Sequence, residues 1–242
     1  YILTKMDKEG ADFQTVLAQA QELGYAERNP SADIEGFDAV RKIAILASLA
    51  YGKSVDFEDV YTEGITNITD IDFKYAAAMG KSIKLLGKCK KEANGIVASV
   101  TPRLLSPSHP LFNVEGVVNG ILVRGNMVGD LVFIGSGAGK LPTASAVVSD
   151  VVDSVRHLNV STTVMWKEEK LEVEDFSKSK KKFFVRTTKS KEEVEAVFGN
   201  VEYIDAGISG EIGFATEKLS EQDFDAKAEK LGNVISRIRI EG

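Results

Sequence analysis

Gly24-Tyr25-Ala26-Glu27-Arg28-Asn29-Pro30-Ser31-Ala32-Asp33-Ile34-Glu35-Gly36-Phe37-Asp38-Ala39-Val40-Arg41-Lys42 gathers Glu27, Asp33, Asp38 and Lys42 in one short segment and runs straight into the apolar stretch 43–50. Charged groups beside a hydrophobic run must be paired or desolvated, and both shift pKa values toward useful chemistry. The pattern predicts a polar loop followed by a helix over 38–51. Asp38 and Lys42 are four residues apart, so on that helix they share a face. Asp33 lies upstream, where it can cap or close on the same helix N-terminus. Glu27 precedes Pro30 in a turn, a place for a side chain that faces a substrate. The plainer reading is a capped helix with a surface ion pair, which is common and weak. The whole constellation points past it, to a site.

A second stretch is Gly135-Ser136-Gly137-Ala138-Gly139-Lys140-Leu141-Pro142-Thr143-Ala144-Ser145-Ala146. Glycines let a backbone approach a ligand closely and take positive φ, and Pro142 suits the first turn of the helix predicted over 144–155. A glycine-rich loop feeding a helix N-terminus is a natural anion or cofactor site. It is not a P-loop, because Ile134 stands at the first required glycine and Leu141 replaces the Ser or Thr. Nor is it a dinucleotide fingerprint, because the third glycine comes one residue early and no βαβ unit follows. A third stretch, 107–120, holds His109 between two prolines and places Asn119 before a strand. No nucleophile pattern accompanies His109, so a turn histidine is the simpler reading.

These three stretches resemble homoserine dehydrogenase. The family's pattern runs approximately Gly-Tyr-x-Glu-x-Asp-Pro-x-x-Asp-x-x-Gly-x-Asp-x-x-Arg-Lys, and the one notable departure here is Asn29 in place of Asp. The resemblance implies reversible hydride transfer between NAD or NADP and aspartate 4-semialdehyde, giving homoserine, a step in making threonine, methionine and isoleucine. It implies that Glu27 and Tyr25 bind the amino-acid substrate. Asp33 and Asp38 would line the same pocket and hold its geometry for catalysis, and Lys42 would be the general acid/base. Gly137, Gly139 and Thr143 would touch the cofactor. Burial beside Ile43 and Leu46 is expected to bring Lys42 toward working pH. The chain opens at Tyr1 in what resembles the middle of an active-site helix, with no initiator methionine and no Gly-x-Gly-x-x-Gly. It is therefore expected to be a C-terminal portion, inactive alone without a Rossmann domain.

Composition agrees with a cytoplasmic enzyme piece. The 242 residues suffice for two domains, and 43% hydrophobic residues permit real cores. A net charge of -6 argues against a nucleic-acid partner, and no apolar run approaches a membrane span. The single cysteine, Cys89, excludes an internal disulfide and reads as packed. It also lacks a neighbouring His, which argues against a semialdehyde dehydrogenase with a nucleophilic thiol. No His spacing suggests zinc, and no metal is expected.

The fold class expected is α+β. Residues 1–22 read as helical, and 57–64 and 72–80 as short helices. Strands over 83–89, 95–101, 120–123 and 129–134 are expected to form one open sheet covered by helices, with Asn94-Gly95 as a hairpin turn. This makes 1–160 a substrate and dimerisation domain, with 135–157 returning toward a nucleotide domain. A basic linker over 161–181 follows. Residues 182–242 read as βαββαβ, a ferredoxin-like order that at this place resembles an ACT domain, an amino-acid-sensing module. Its usual Asp-x-Pro-Gly turn is replaced by Thr188-Lys189-Ser190-Lys191. Both a regulatory role with an amino-acid effector and a purely structural one stay open. A homodimer or homotetramer is expected through the 83–134 strands, whose apolar face needs a cover. The competing reading is a non-catalytic amino-acid sensor.

Overall fold

The computed structural model describes residues 1–160 and 165–241, a mixed α+β structure. Residues 161–164 of the expected linker lie outside the described residues. The N-terminal helical stretch is two helices, α1 (Ile2–Glu9) and α2 (Phe13–Glu22). Gly10 ends the first at φ 63°, its N–H bonded to the Met6 carbonyl. Asp12 starts the second by accepting from the Thr15 amide at 3.0 Å and the Thr15 hydroxyl at 2.6 Å. The short α3 (Ser31–Ile34) and the long α4 (Phe37–Tyr51) follow.

After β1 (Lys53–Ser54), the expected helix over 57–64 is only a single 3₁₀ turn, Phe57–Asp59, and then β2 (Tyr61–Thr62). Pairing with a distant strand overrides the local pattern: Tyr61 and Thr62 lie parallel to Ser99 and Val100. α5 (Asp70–Ala78) begins with a capping box between Thr69 and Asp72. β3 (Ser82–Lys91) and β4 (Ile96–Leu105) form a full antiparallel hairpin, closed by the Glu92 amide on the Gly95 carbonyl at 3.0 Å.

β5 (Val118–Gly125) and β6 (Gly129–Ser136) pair only with each other among the described residues, so the expected single sheet over 83–134 is two. α6 (Lys140–Arg156) follows with no buried residue. β7 (Lys167–Lys170) pairs with β1. β8 (Lys180–Thr187), α7 (Lys191–Phe198), β9 (Val201–Ile204), β10 (Ile212–Thr216), the short β11 (Leu219–Ser220), α8 (Glu221–Leu231) and β12 (Val234–Ile240) complete the chain.

The main sheet has eight strands, in the order β2-β4-β12-β8-β10-β9, with β3 on β4 and β11 on β8. β4 thus carries β3 along one edge, while β2 and the end of β12 share the other. Three apolar cores serve this sheet. Ile83, Leu104, Phe184 and Ile238 face α1, α2 and α5. Val40, Ala44 and Ala47 of α4 pack on Ile96, Ala98 and Val100. Phe183, Val185 and Phe214 pack under Val194, Phe198 and Phe224 of α7 and α8.

Candidate active site

The carboxylate-rich segment is held by backbone before any side chain acts. α4 lies against β3 so closely that a Cβ on Gly87 would stand 3.2 Å from Ile43 Cβ. At the head of α4, Gly36 has φ 85° and its Cα faces Thr62 and Val100, each 3.2 Å from where a Cβ would be. L-residues avoid that φ, so glycine is required there twice over. The turn before it rests on Gly64, where a Cβ would come within 2.1 Å of the Ile34 carbonyl oxygen. The Ile65 amide donates to that same oxygen at 2.7 Å. β2 and the residues after it therefore form the floor on which residues 33–38 sit.

On this floor Asp38 and Lys42 share a face of α4, and Lys42 Nζ lies 2.6 Å from Asp38 Oδ2. The lysine is paired but not buried: its side chain is 59% exposed, contrary to the expected burial beside Ile43 and Leu46. Those residues turn inward while Lys42 faces out. Asp33 does not cap α4, whose N-cap is Gly36, but lies within α3. It still joins the group. Partial desolvation pushes its carboxyl up, the negative charges of Asp38 and Glu27 push it further, and Lys42 and the Glu27 amide pull it down. Glu27, Asp38 and Lys42 thus each lie near enough to Asp33 to act on its carboxyl. Tyr25 sits beside them in the chain, but its ring packs against Tyr1, with centroids 5.1 Å apart, at the margin of the first core.

The glycine-rich loop forms a separate group, and no hydrogen bond or ion pair among the described residues joins it to Lys42. Gly137 is bare for a protein reason: a Cβ would lie 1.6 Å from Asn119 Nδ2. Gly139 differs. It caps α6 at φ 107°, and the nearest atom to its missing Cβ is Pro142 Cδ at 3.7 Å. Thr143 donates its amide to the Gly139 carbonyl at 3.1 Å. No side chain caps this helix, so its leading amides stand open, a fit for a polar or anionic group of a dinucleotide.

The remaining candidates have structural employment. His109 Nδ1 accepts from the Leu111 amide at 3.2 Å inside its own turn. Burial pushes the Cys89 thiol up to about 11, with the Tyr51 hydroxyl lowering it, so it is no thiolate. No cluster of metal-ligating side chains occurs among the described residues, nor any helix long and apolar enough to cross a membrane. Sequence reasoning missed Gly36, Gly64 and Glu63 as supports of the site. Their partners lie far along the chain; Gly36 stands in the family pattern without its role showing, and no local pattern marks Gly64 or Glu63.

The carboxylate-rich segment and the glycine-rich return loop both fall within the match to one enzyme family. A model of the homoserine dehydrogenase family matches residues 1–152, and the chain belongs to that family. It is 51% identical over 159 residues to a homoserine dehydrogenase of Synechocystis sp., covering 64% of this chain and 37% of that protein. The chain thus spans little more than a third of that relative's length. The crystal structure of a homoserine dehydrogenase from Thiobacillus denitrificans superposes with a TM-score of 0.86 at 33% identity, covering 100% of this chain and 61% of that one. A hyperthermophilic archaeal homoserine dehydrogenase mutant in complex with NADPH matches 66% of this chain and 46% of its own, with a TM-score of 0.51 and 34% identity.

Proposed function

We propose that this chain supplies the substrate-binding and proton-transfer part of a homoserine dehydrogenase, interconverting L-homoserine and L-aspartate 4-semialdehyde with NAD or NADP. The observation that carries the reading is the Lys42–Asp38 pair at 2.6 Å, set beside Asp33 and Glu27 on an outward face of α4. An ammonium held by one carboxylate and open to one side can give a proton to a carbonyl oxygen, or take one from a hydroxyl, as hydride moves. The nicotinamide, when bound, supplies the hydride chemistry. Asp38 orients the ammonium. Glu27 takes the substrate's own ammonium, and Asp33 and Tyr25 shape the pocket. Gly139 and Thr143, at the open head of α6, hold part of the dinucleotide, while Gly137 keeps the loop in place against Asn119. NADPH in the archaeal relative supports a nicotinamide cofactor for this chain as well.

The setting we infer is the cytoplasmic pathway to threonine, methionine and isoleucine. The protein works as a homodimer or homotetramer, with 1–160 the substrate domain and 182–242 an ACT-like unit that receives an amino-acid effector. The βαββαβ order and the strand order β12-β8-β10-β9 support the ferredoxin-like form of that unit, while the effector rests on the resemblance to an ACT domain. A pure sensor is disfavoured by the match to the dehydrogenase family over residues 1–152, which takes in the whole carboxylate-rich segment.

Proton transfer of this kind contributes on the order of 10²–10⁴-fold. Lys42→Ala in the intact enzyme should therefore lower kcat for homoserine oxidation by about a hundredfold or more, with a far smaller change in KM. Lys42→Arg should not rescue it, because guanidinium keeps its proton. A Lys42→Ala enzyme with wild-type turnover would make Lys42 a binding residue.

A further inference from the structure

Glu63 joins two parts of the molecule that lie 176 residues apart in sequence. β2 lies along β4 at Ser99 and Val100, and β12 meets the same edge at Arg103 and Leu104. Glu63 directly follows β2 and faces the gap between them. Its amide donates to the Val100 carbonyl at 2.8 Å. Its Oε2 accepts from Arg239 Nη1 at 2.7 Å, from the Tyr61 hydroxyl at 3.2 Å and, at 3.5 Å, from Arg237 Nη2. Arg239 is itself held on several sides. It is completely buried, its Nε and Nη2 donate to the two Glu221 oxygens at 2.7 and 2.8 Å, and the Tyr61 and Phe176 rings flank it. A guanidinium gripped this way sets the place of the carboxylate it meets.

The next residue carries that placement into the site. Gly64 lies under the Ile34 carbonyl and the Glu35 Cα, where a Cβ would stand at 2.1 and 2.4 Å. The Ile65 amide holds the same carbonyl. Asp33 is the residue before Ile34, and α4 with Asp38 and Lys42 starts at Phe37. A shift of Glu63 cannot be absorbed between these points, because backbone meets backbone there.

We propose that Glu63, fixed by Arg239 of β12, is a positioning residue for the Asp33–Asp38–Lys42 group. The C-terminal unit thereby takes part in setting the geometry of the reaction. This deepens the dehydrogenase reading and rests on it for the identity of the substrate.

The test uses Glu63→Gln and the charge-preserving Glu63→Asp in the intact enzyme, with Asp225→Asn as control. Asp225 meets Arg237 of the same strand at 2.7 Å, and its side chain is 65% exposed. Displacements near 1 Å can cost on the order of a hundredfold in rate, so kcat/KM for homoserine should fall by about tenfold or more in both Glu63 variants. The KM for the dinucleotide should stay within about twofold, and Asp225→Asn should match wild type. Equal losses for homoserine and dinucleotide, or none, overturn the proposal. Amide hydrogen exchange reads the floor without any reaction. In Glu63→Asp the Ile65 amide should exchange about tenfold faster or more, while the Glu92 amide of the β3–β4 turn keeps its protection. An unchanged Ile65 amide overturns the positioning role, whatever the substrate proves to be. Should Glu63→Gln not fold, Glu63→Asp carries both measurements.

Discussion

Arg186 of β8 places Nη1 2.8 Å from Asp72 Oδ1 of α5, with both side chains shut from water at 3% and 0% exposure. The same guanidinium donates to both Glu211 oxygens at 2.7 and 2.9 Å and to the Thr69 hydroxyl at 2.9 Å. Asp72 Oδ2 meanwhile accepts from the Thr69 amide and hydroxyl. Two carboxylates and one guanidinium thus tie α5 to the first strand of the C-terminal unit.

Breaking a buried pair from one side strands the other charge, which typically costs about 3–5 kcal/mol. Asp72→Ala should lose stability of that order, and more than Asp72→Asn, which keeps an acceptor for Arg186. The residues on both sides of 161–164 should unfold in one transition, because β4 and β12 are neighbours in one sheet. Urea unfolding followed by Trp166 fluorescence and by circular dichroism checks both points. Two separated transitions would contradict the second.

Glu27→Gln should act on binding. A carboxylate that grips an ammonium does so before and during the chemical step, so KM for homoserine should rise by about tenfold or more while kcat changes little. Steady-state kinetics decide it. A loss confined to kcat would move Glu27 from the substrate's ammonium to the reacting centre.

Lys181 carries the clearest pH signal. Burial pushes its ammonium down to about 8, Glu221 pulls it up, and the nearby Arg103 and Arg239 push it down again. Its side chain is 11% exposed. Below pH 8 the lysine is charged in both folded and unfolded chains, and folding bears the full penalty. Between pH 8 and the ordinary lysine range the folded chain sheds the proton first, so stability from this group rises with pH. Lys181→Met should therefore gain stability over wild type at pH 7, on the order of 3 kcal/mol at most. The gap should narrow by pH 9.5. Guanidinium titrations at both values test the sign, and a gap that widens with pH refutes it.

The β5–β6 hairpin should be a subunit contact. Ile121 and Phe133 are paired across it, 41% and 60% exposed, with Ile134 at 61% beside them. Such apolar surface is normally covered. Phe133→Asp should shift sedimentation toward the monomer mass at about ten micromolar. A wild-type monomer there would remove the proposal.

What was legible in the sequence was what local chemistry determines. Asp38 and Lys42 pair because a helix puts them on one face, and Asn94-Gly95 falls in the β3–β4 turn as expected. Neither residue of that turn takes a positive φ, and Gly95 is required instead because a Cβ there would stand 2.3 Å from the Glu172 carbonyl oxygen. The βαββαβ order past residue 180 followed from alternation such as that of residues 234–240, which form β12. What was not legible depended on distant partners. Tyr61-Thr62 became a strand only because Ser99-Val100 lay open beside it. Lys42 was expected to be buried because its neighbours Ile43 and Leu46 are apolar, yet a helix sends neighbours to different faces. Arg239 and Glu63, 176 residues apart, carry no mutual mark at all.

The place of β12 has a consequence for synthesis. A ribosome that has finished α8 has already released β4 and β8 from its tunnel, but the strand that lies between them does not yet exist. Until then the nascent chain holds two half-sheets, each with an unsatisfied backbone edge, and Glu63 has no arginine. Edges of that kind invite pairing with the wrong chain. The carboxylate-rich segment, made before β12, thus waits for that strand before its floor is fixed, and a pause or truncation near residue 233 would leave a chain most exposed to misassembly.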